Sequence, residues 1–350
     1  AVVRAIAEQA HFANGKRSRL TILYEPQDAL AVQAFQARHP RFCKPNPAEF
    51  LGWDFPSEWD EWSYSPQGYP EAEKNGVSYV CNAAFMPFPA DYRDAALVDQ
   101  LERLARKSDS RCVIIACHSD DERNVALSVH LNEELLRRKA PLPIFVSIAV
   151  QHHLAELVEK RYPMGDRANT FPQGEVVPFG QCKNSCDHAE IVGDELTTIA
   201  KVVYRSYEAL QAENAAKKGK THESLPWERL RWEFQQSNLQ AARHVAIKLD
   251  ALGLSLNPDN QVQGAIDQRL QEFDENVGDL QATVSRMEHN RWMAERLMSG
   301  WTFAEVSQNE RRTRDSLAAW EKLKDYDREK DRRQIHDVLD YYRRRNIGGR

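Results

Sequence analysis

The sequence predicts an α/β domain built on a parallel, doubly wound sheet, followed by an all-α domain. Two observations carry the first part. Short, continuously apolar runs such as Cys112-Val-Ile-Ile-Ala-Cys117 and Pro143-Ile-Phe-Val-Ser-Ile148 recur along the first half, and helical segments separate them. Strands buried on both faces read as unbroken apolar runs and need helical crossovers to lie parallel. A third observation carries the second part: from about Ile191, Leu196, Ile199, Val203, Tyr207 and Leu210 step by three and four, which puts them on one helix face. The division expected is residues 1–190 and 191–350.

Along the first domain, Ala1 to Phe12 has helical patterning, Leu20 to Tyr24 reads as a strand and Asp28 to Arg38 as a helix. Val77 to Phe85 reads as a strand, Ala95 to Ala105 as a helix with Leu97, Leu101 and Leu104 inward, and Cys112 to Cys117 as a buried strand. A long helix from about Asp121 to Arg138, a strand at Pro143 to Ile148 and a helix at Leu154 to Tyr162 follow. An insertion at 42–75 sets Phe50, Trp53, Phe55, Trp59, Trp62 and Tyr64 among acidic residues and prolines. A loop of that length is functional or a cover. Its tryptophans either line a pocket or fold the loop back over the sheet.

In the second domain, Gln211 to Ser224 is polar and reads as an exposed loop. Trp227 to Phe234 begins a helix, and Leu239, Ala242, Ala246, Leu249 and Leu252 continue the pattern to Gly253. Leu280, Val284 and Met287 lead into a dense polar and aromatic stretch, Glu288-His-Asn-Arg-Trp292, followed by Gly300-Trp301. A short helix is expected around Leu317 to Trp320, and a last one from Asp327 with Ile335, Val338, Leu339 and Tyr342 inward.

The 350 residues are 42% hydrophobic and 28% charged, enough for two ordinary cores, with no apolar run of spanning length. A net charge of -5 gives no argument for nucleic-acid binding. Of the six cysteines, Cys81, Cys112 and Cys117 lie in apolar runs, a usage that suits a reducing, cytoplasmic compartment. The chain opens without Met inside an amphipathic segment, so an upstream extension, into a membrane channel or an effector, is expected. Cys182, Cys186 and His188 resemble half a zinc site with no second pair at suitable spacing, and no metal is expected. No nucleophile elbow, zinc-protease helix or phosphate-binding glycine loop is present.

Arg111 to Leu127, with its acidic pair Asp120-Asp121 and Asn124 after a strand, followed by Pro143 to Ile148, resembles the second half of the Rossmann-type nucleotide-binding domain of potassium-conductance regulators. The likeness covers about residues 1–160 and implies a Rossmann-like fold. It places Glu25, at the end of a strand, where the family has its acidic ribose ligand. The glycine loop that would cradle the pyrophosphate of NAD(P) is absent from this sequence.

Met287 to Trp301 resembles the core signature of the ryanodine-receptor repeat (RyR) domain, and Arg311-Arg312, Leu317, Leu323 and Glu329-Lys-Asp-Arg332 follow in the family's order. The likeness spans about residues 280–340. Thr313-Arg-Asp-Ser316 and Thr302-Phe303-Ala304 depart from the family pattern, which leaves the ligand open. The resemblance implies a regulatory module holding a nucleotide-derived ligand against tryptophan. The expected ligand-binding residues are His289, Arg291, Trp292, Glu295, Trp301, Arg311, Arg312, Lys330 and Arg332. Tryptophan faces beside guanidinium forks suit a planar base carrying a phosphate. Each of these residues also has a packing or salt-bridge alternative. A small nucleotide-like molecule and a second copy of the chain are the partners expected, with no nucleic acid. The competing function is a nucleotide-processing enzyme using His289 and Glu288 as acid and base.

Overall fold

The structure is a computed structural model and describes residues 2–13, 15, 18–42, 80–88, 93–106, 112–163, 174–181, 195–254 and 263–348. In chain order the elements are α1 (Val2–Gln9), β1 (Arg19–Tyr24), α2 (Ala29–Arg38), β2 (Asn82–Pro87), α3 (Ala95–Ala105), β3 (Ile114–Ala116), α4 (Asp121–Arg137) and β4 (Ile144–Ser147). They continue as α5 (His152–Arg161), β5 (Val176–Phe179), α6 (Glu195–Lys217), α7 (Trp232–Arg243), α8 (Val245–Ala251) and α9 (Gln263–Asp274). Last come α10 (Leu280–Met298), β6 (Thr302–Phe303), β7 (Thr313–Arg314) and α11 (Asp325–Gly348). The described residues up to 42, from 80 to 86 and from 195 onward form one compact unit, and those from 87 to 181 form another. No helix among the described residues is long and apolar enough to cross a membrane.

The smaller unit is α/β, as the sequence led one to expect in outline. Its three strands pair in parallel in the order β3-β4-β5, with Ile114 opposite Ile144 and Ile144 opposite Val176. Helix α4 crosses from β3 to β4 and α5 from β4 to β5, because parallel neighbours cannot be joined by a tight turn. Ile144 and Val146 are fully buried, as is Leu135 on α4. Polar side chains lock the ends of the strands. The Asn124 amide donates to the carbonyls of His118 (2.8 Å) and Ser147 (3.0 Å) and accepts from the His118 amide at 2.7 Å. The Asp121 carboxylate accepts the backbone N–H groups of Ala149, Val150 and Gln151, just ahead of α5, at 3.0, 2.8 and 2.8 Å. Burial would raise this carboxyl, and the three donors outweigh it, so its pKa lies below the ordinary value. Strand β5, which carries Pro178 and lies between Gly174 and Gly180, had no counterpart in the sequence reading. Pro178 is tolerated because β5 is an edge strand.

The larger unit is a helical assembly around two apolar clusters. One joins Ile199 and Val203 of α6, Ala241 and Ala242 of α7, Val245 and Leu249 of α8, Ile266, Leu270 and Phe273 of α9, Val284 of α10, and Ile335, Val338 and Leu339 of α11. The other joins Ala7 of α1, Phe42, Val80, Cys81 and Ala83 to Met293, Ala294, Leu297 and Met298 of α10, with Trp301 and Leu317. The described residues up to 42 and β2 therefore pack with the helices of the second half, which differs from a division at residue 190. The physical reason is the second cluster: one apolar face of α10 is covered by α1, Phe42 and β2. β1 and β2 form their own two-stranded sheet there.

Several local expectations need correction. The stretch read as a loop at Gln211 to Ser224 is helical as far as Lys217, where Glu213 pairs with Arg333 of α11 at 2.6 Å. Trp227 to Arg229 is a single 3-10 turn before α7, and Trp320 to Lys322 is another where a helix was expected. Helix α9 was not anticipated. The aromatic insertion at 42–75, apart from Phe42, and the Cys182, Cys186 and His188 group lie outside the described residues.

Candidate functional site

Helix α10 buries twelve of its nineteen residues, so its polar side chains must find partners inside the protein. Arg291, 1% exposed, is the centre of that arrangement. Its Nε donates to both Glu288 oxygens at 3.1 and 3.2 Å, its Nη2 to Glu288 Oε1 at 2.9 Å, and its Nη1 to Glu295 Oε2 at 2.7 Å. The spacing of three and four residues along the helix brings these groups together. From α8, Lys248 Nζ reaches Glu288 Oε2 at 2.5 Å. Two carboxylates thus face two cations in a buried, charge-balanced network.

Burial opposes each of these charges, and the partners decide the outcome. Burial would raise the Glu288 carboxyl, but the Arg291 guanidinium and Lys248 ammonium hold it well below the usual range. Burial pulls Lys248 down, partly offset by Glu288. His244, wholly buried, is pushed well below its ordinary value by burial and then by Lys248, and stays neutral. Its Nε2 donates to the carbonyl of His11 at 3.0 Å.

His289 lies on another side of α10. Its Nε2 donates to the carbonyl of Ala318 at 2.8 Å, and its Nδ1 stands 3.6 Å from Asp331 of α11. The ring stacks on Trp292 with 5.9 Å between centroids and 27° between planes. Burial raises the Asp331 carboxyl, against the pull of His289.

The C-terminal end of α10 carries the aromatic part. Gly300, at φ +80, takes the left-handed conformation that ends the helix, and the Trp301 N–H closes back on the Arg296 carbonyl at 2.9 Å. Capping is completed by His39, which donates to the Met298 carbonyl at 3.1 Å, and by Arg312, which donates to that of Ser299 at 3.0 Å. Trp301 is thereby fixed just beyond the helix end, after Ser299 and Gly300. The Arg296 guanidinium carbon is 5.8 Å from the Trp292 ring centre and 5.2 Å from that of Trp301. β7 pairs with β6 and brings Arg314 to 4.7 Å from the Trp301 ring. The order is Trp292, Arg296, Trp301, Arg314: indole and guanidinium in alternation, each cation–π contact worth about 0.5–1 kcal/mol.

Neither guanidinium has a carboxylate within ion-pairing distance among the described residues. Arg314 donates to Asn309 Oδ1 at 2.5 Å, and Arg296 Nη2 donates to Ser237 Oγ of α7 at a long 3.4 Å. Arg296 Nε is buried with no acceptor. Burial lowers the Arg296 pKa. A cation so placed lacks the counter-ion that burial ordinarily demands.

The sequence-predicted residues therefore separate. Trp292 and Trp301 come together, with His289 behind Trp292. Arg291 and Glu295 turn inward, which corrects the expectation that their charges face a ligand: Arg291 is spent on two carboxylates, and Glu295 on Arg291 and Ser237 (3.1 Å). Arg312 serves as a helix cap and Arg311 is exposed. Lys330 pairs with Asp327 at 2.7 Å and lies over Tyr326, while Arg332 pairs with Glu329 at 2.5 Å. Both are held by neighbours on α11, and none of their described contacts reaches Trp292 or Trp301. Glu25 sits just beyond β1, where it accepts from Gln27. Arg296 was not among the expected ligand-binding residues, although helix spacing puts it on one side of α10 with His289 and Trp292. Arg314 carries no such local signal, since strand pairing positions it. Among the described residues no group of His, Cys, Asp or Glu is placed to hold a metal.

Residues 264–344 match the family model of the RyR domain, a stretch that takes in most of α9 and all of α10, β6 and β7, and most of α11. No curated protein and no solved structure matches the chain.

Proposed function

We propose that this chain is a ligand-sensing regulatory module whose RyR domain binds a planar, anionic, nucleotide-derived molecule at the Trp292–Arg296–Trp301–Arg314 face. One observation carries the reading: two guanidiniums alternate with two indoles, and neither has a carboxylate partner among the described residues. An indole face supports a base, at about 1–3 kcal/mol for a stack. The unsatisfied guanidinium supports a phosphate, at about 1.5–3 kcal/mol per charge-assisted bond. One stack and two such bonds, less the cost of association, correspond to micromolar affinity.

The three-stranded unit is read as a Rossmann-like partner that transmits or pairs. Its strand ends are bridged by Asn124 and Asp121, which favours a structural use over dinucleotide binding. An enzyme with Glu288 as base is disfavoured. Glu288 is held ionised by two cations far below neutral pH, whereas a base works best with a pKa near it. A cytoplasmic location fits this reading.

A thermal-shift series with ATP, ADP-ribose and cyclic nucleotides tests the reading, followed by chromatography of the ligand after long incubation. Stabilisation by at least one, recovered intact, is expected. Ligand consumed in a Glu288-dependent way would replace the sensor with the enzyme.

A further inference from the structure

We infer that Ser237, on α7 and outside the matched stretch, is a positioning residue that sets the orientation of the ligand-facing cation Arg296. The inference rests on the binding site proposed above and adds a residue from a helix that site does not contain. The hydroxyl of Ser237 lies between Glu295 Oε2 at 3.1 Å and Arg296 Nη2 at 3.4 Å. A hydroxyl has one proton and two lone pairs, and a guanidinium has only donors. The Ser237 proton must therefore go to Glu295, and a lone pair is left facing Arg296. The direction of this short relay is fixed by chemistry.

Its far end is fixed as well. Glu295 is held by Arg291 at 2.7 Å, Arg291 by Glu288 at 2.9 Å, and Glu288 by Lys248 of α8 at 2.5 Å. Ser237 is where this buried chain meets the partly buried stack of indoles and guanidiniums. The indoles of Trp292 and Trp301 attract the Arg296 charge but do not define how its fork is turned. Among the described residues only the bond to Ser237 does so, since Arg296 Nε has no acceptor there. With the fork turned, the remaining N–H groups are presented to an anion. The group Ser237 serves is thus the ligand's anionic part, and not its ring.

AMP and adenosine separate these parts. In Ser237→Ala the hydroxyl is lost while Glu295 keeps Arg291. AMP affinity should fall about five- to tenfold, the worth of one ordinary hydrogen bond and fitting for so long a contact, with adenosine affinity unchanged. Ser237→Thr keeps the hydroxyl and should restore AMP binding to within about twofold of the natural protein. A second readout needs no ligand. In nitrogen-15 NMR, the Arg296 Nε–H and its restricted guanidinium rotation should be visible in the natural protein and Ser237→Thr, and be lost in Ser237→Ala. Failure of the natural protein to bind either AMP or adenosine would count against the functional reading and leave the NMR arm to decide the role of Ser237. An Arg296 signal that is the same in Ser237→Ala, or an equal loss of AMP and adenosine, would overturn the inference itself.

Discussion

Replacing Arg291 with methionine keeps most of the side-chain volume of a buried residue and removes its charge. The guanidinium makes four hydrogen bonds to Glu288 and Glu295, and the variant leaves Glu288 paired with Lys248 and Glu295 with the Ser237 hydroxyl. Breaking a buried ion pair by removing one partner costs about 3–5 kcal/mol, because the stranded charge remains out of water. For a folded body of this size each kcal/mol is worth about 2–4 °C, so Tm should fall by roughly 6–20 °C. Urea denaturation followed by circular dichroism gives the free energy, and calorimetry gives Tm. Removing Glu295 together with Arg291 (Arg291→Met with Glu295→Leu) restores the balance between Glu288 and Lys248. At least half of the loss should then return. An Arg291→Met protein within about 1 kcal/mol of the natural one would refute the reasoning, since the spread of ordinary substitutions already covers that much.

Further predictions concern pH, the α/β unit and the end of α10. Glu288 is held well below its ordinary value of 4.5, so the folded state binds fewer protons there than the unfolded chain. Its stabilisation is present above about pH 4.5 and is lost as pH falls toward the folded value. Glu288→Gln should therefore be less stable at neutral pH and show a flatter decline below pH 4.5, which denaturation at a series of pH values will read. Asp121→Ala removes the acceptor of three backbone N–H groups and should cost about 1.5–3 kcal/mol; hydrogen exchange at Ala149, Val150 and Gln151 should speed up first. Gly300→Ala meets nothing closer than Arg312 Nη1 at 3.6 Å, so only the left-handed backbone opposes it. The cost should be about 1–2 kcal/mol by denaturation, with a shift in Trp301 fluorescence.

Much of this was legible from residue patterns, and the exceptions have physical causes. The unbroken apolar runs at Cys112–Cys117 and Pro143–Ile148 gave two parallel strands within a residue or two, although Val113 and Cys117 of the first run are exposed and only the second run is well buried. Strand β5 escaped notice because an edge position permits Pro178, which in a central strand would break the ladder. Helix α9 escaped because Ile266, Leu270 and Phe273 are separated by charged and amide residues, and the cluster they join draws on five other helices. At the site, spacing along α10 identified the residues that share a face but not whether that face is covered. Arg291 and Arg296 look alike in sequence. One meets Glu288, Glu295 and the underside of α8; the other lies between two indoles, and only the tertiary fold distinguishes them. Arg314 depends on the pairing of β7 with β6, at a place where the sequence departs from the pattern it otherwise resembles.

Titration calorimetry of ATP or ADP-ribose into the natural protein and into Trp292→Ala tests the central claim most directly. Micromolar binding to the natural protein is predicted, with a loss of at least tenfold in Trp292→Ala while its helical circular-dichroism signal is unchanged, as expected for removal of one base stack. Equal affinity in the two proteins, or no binding of any nucleotide to the natural one, would contradict the account.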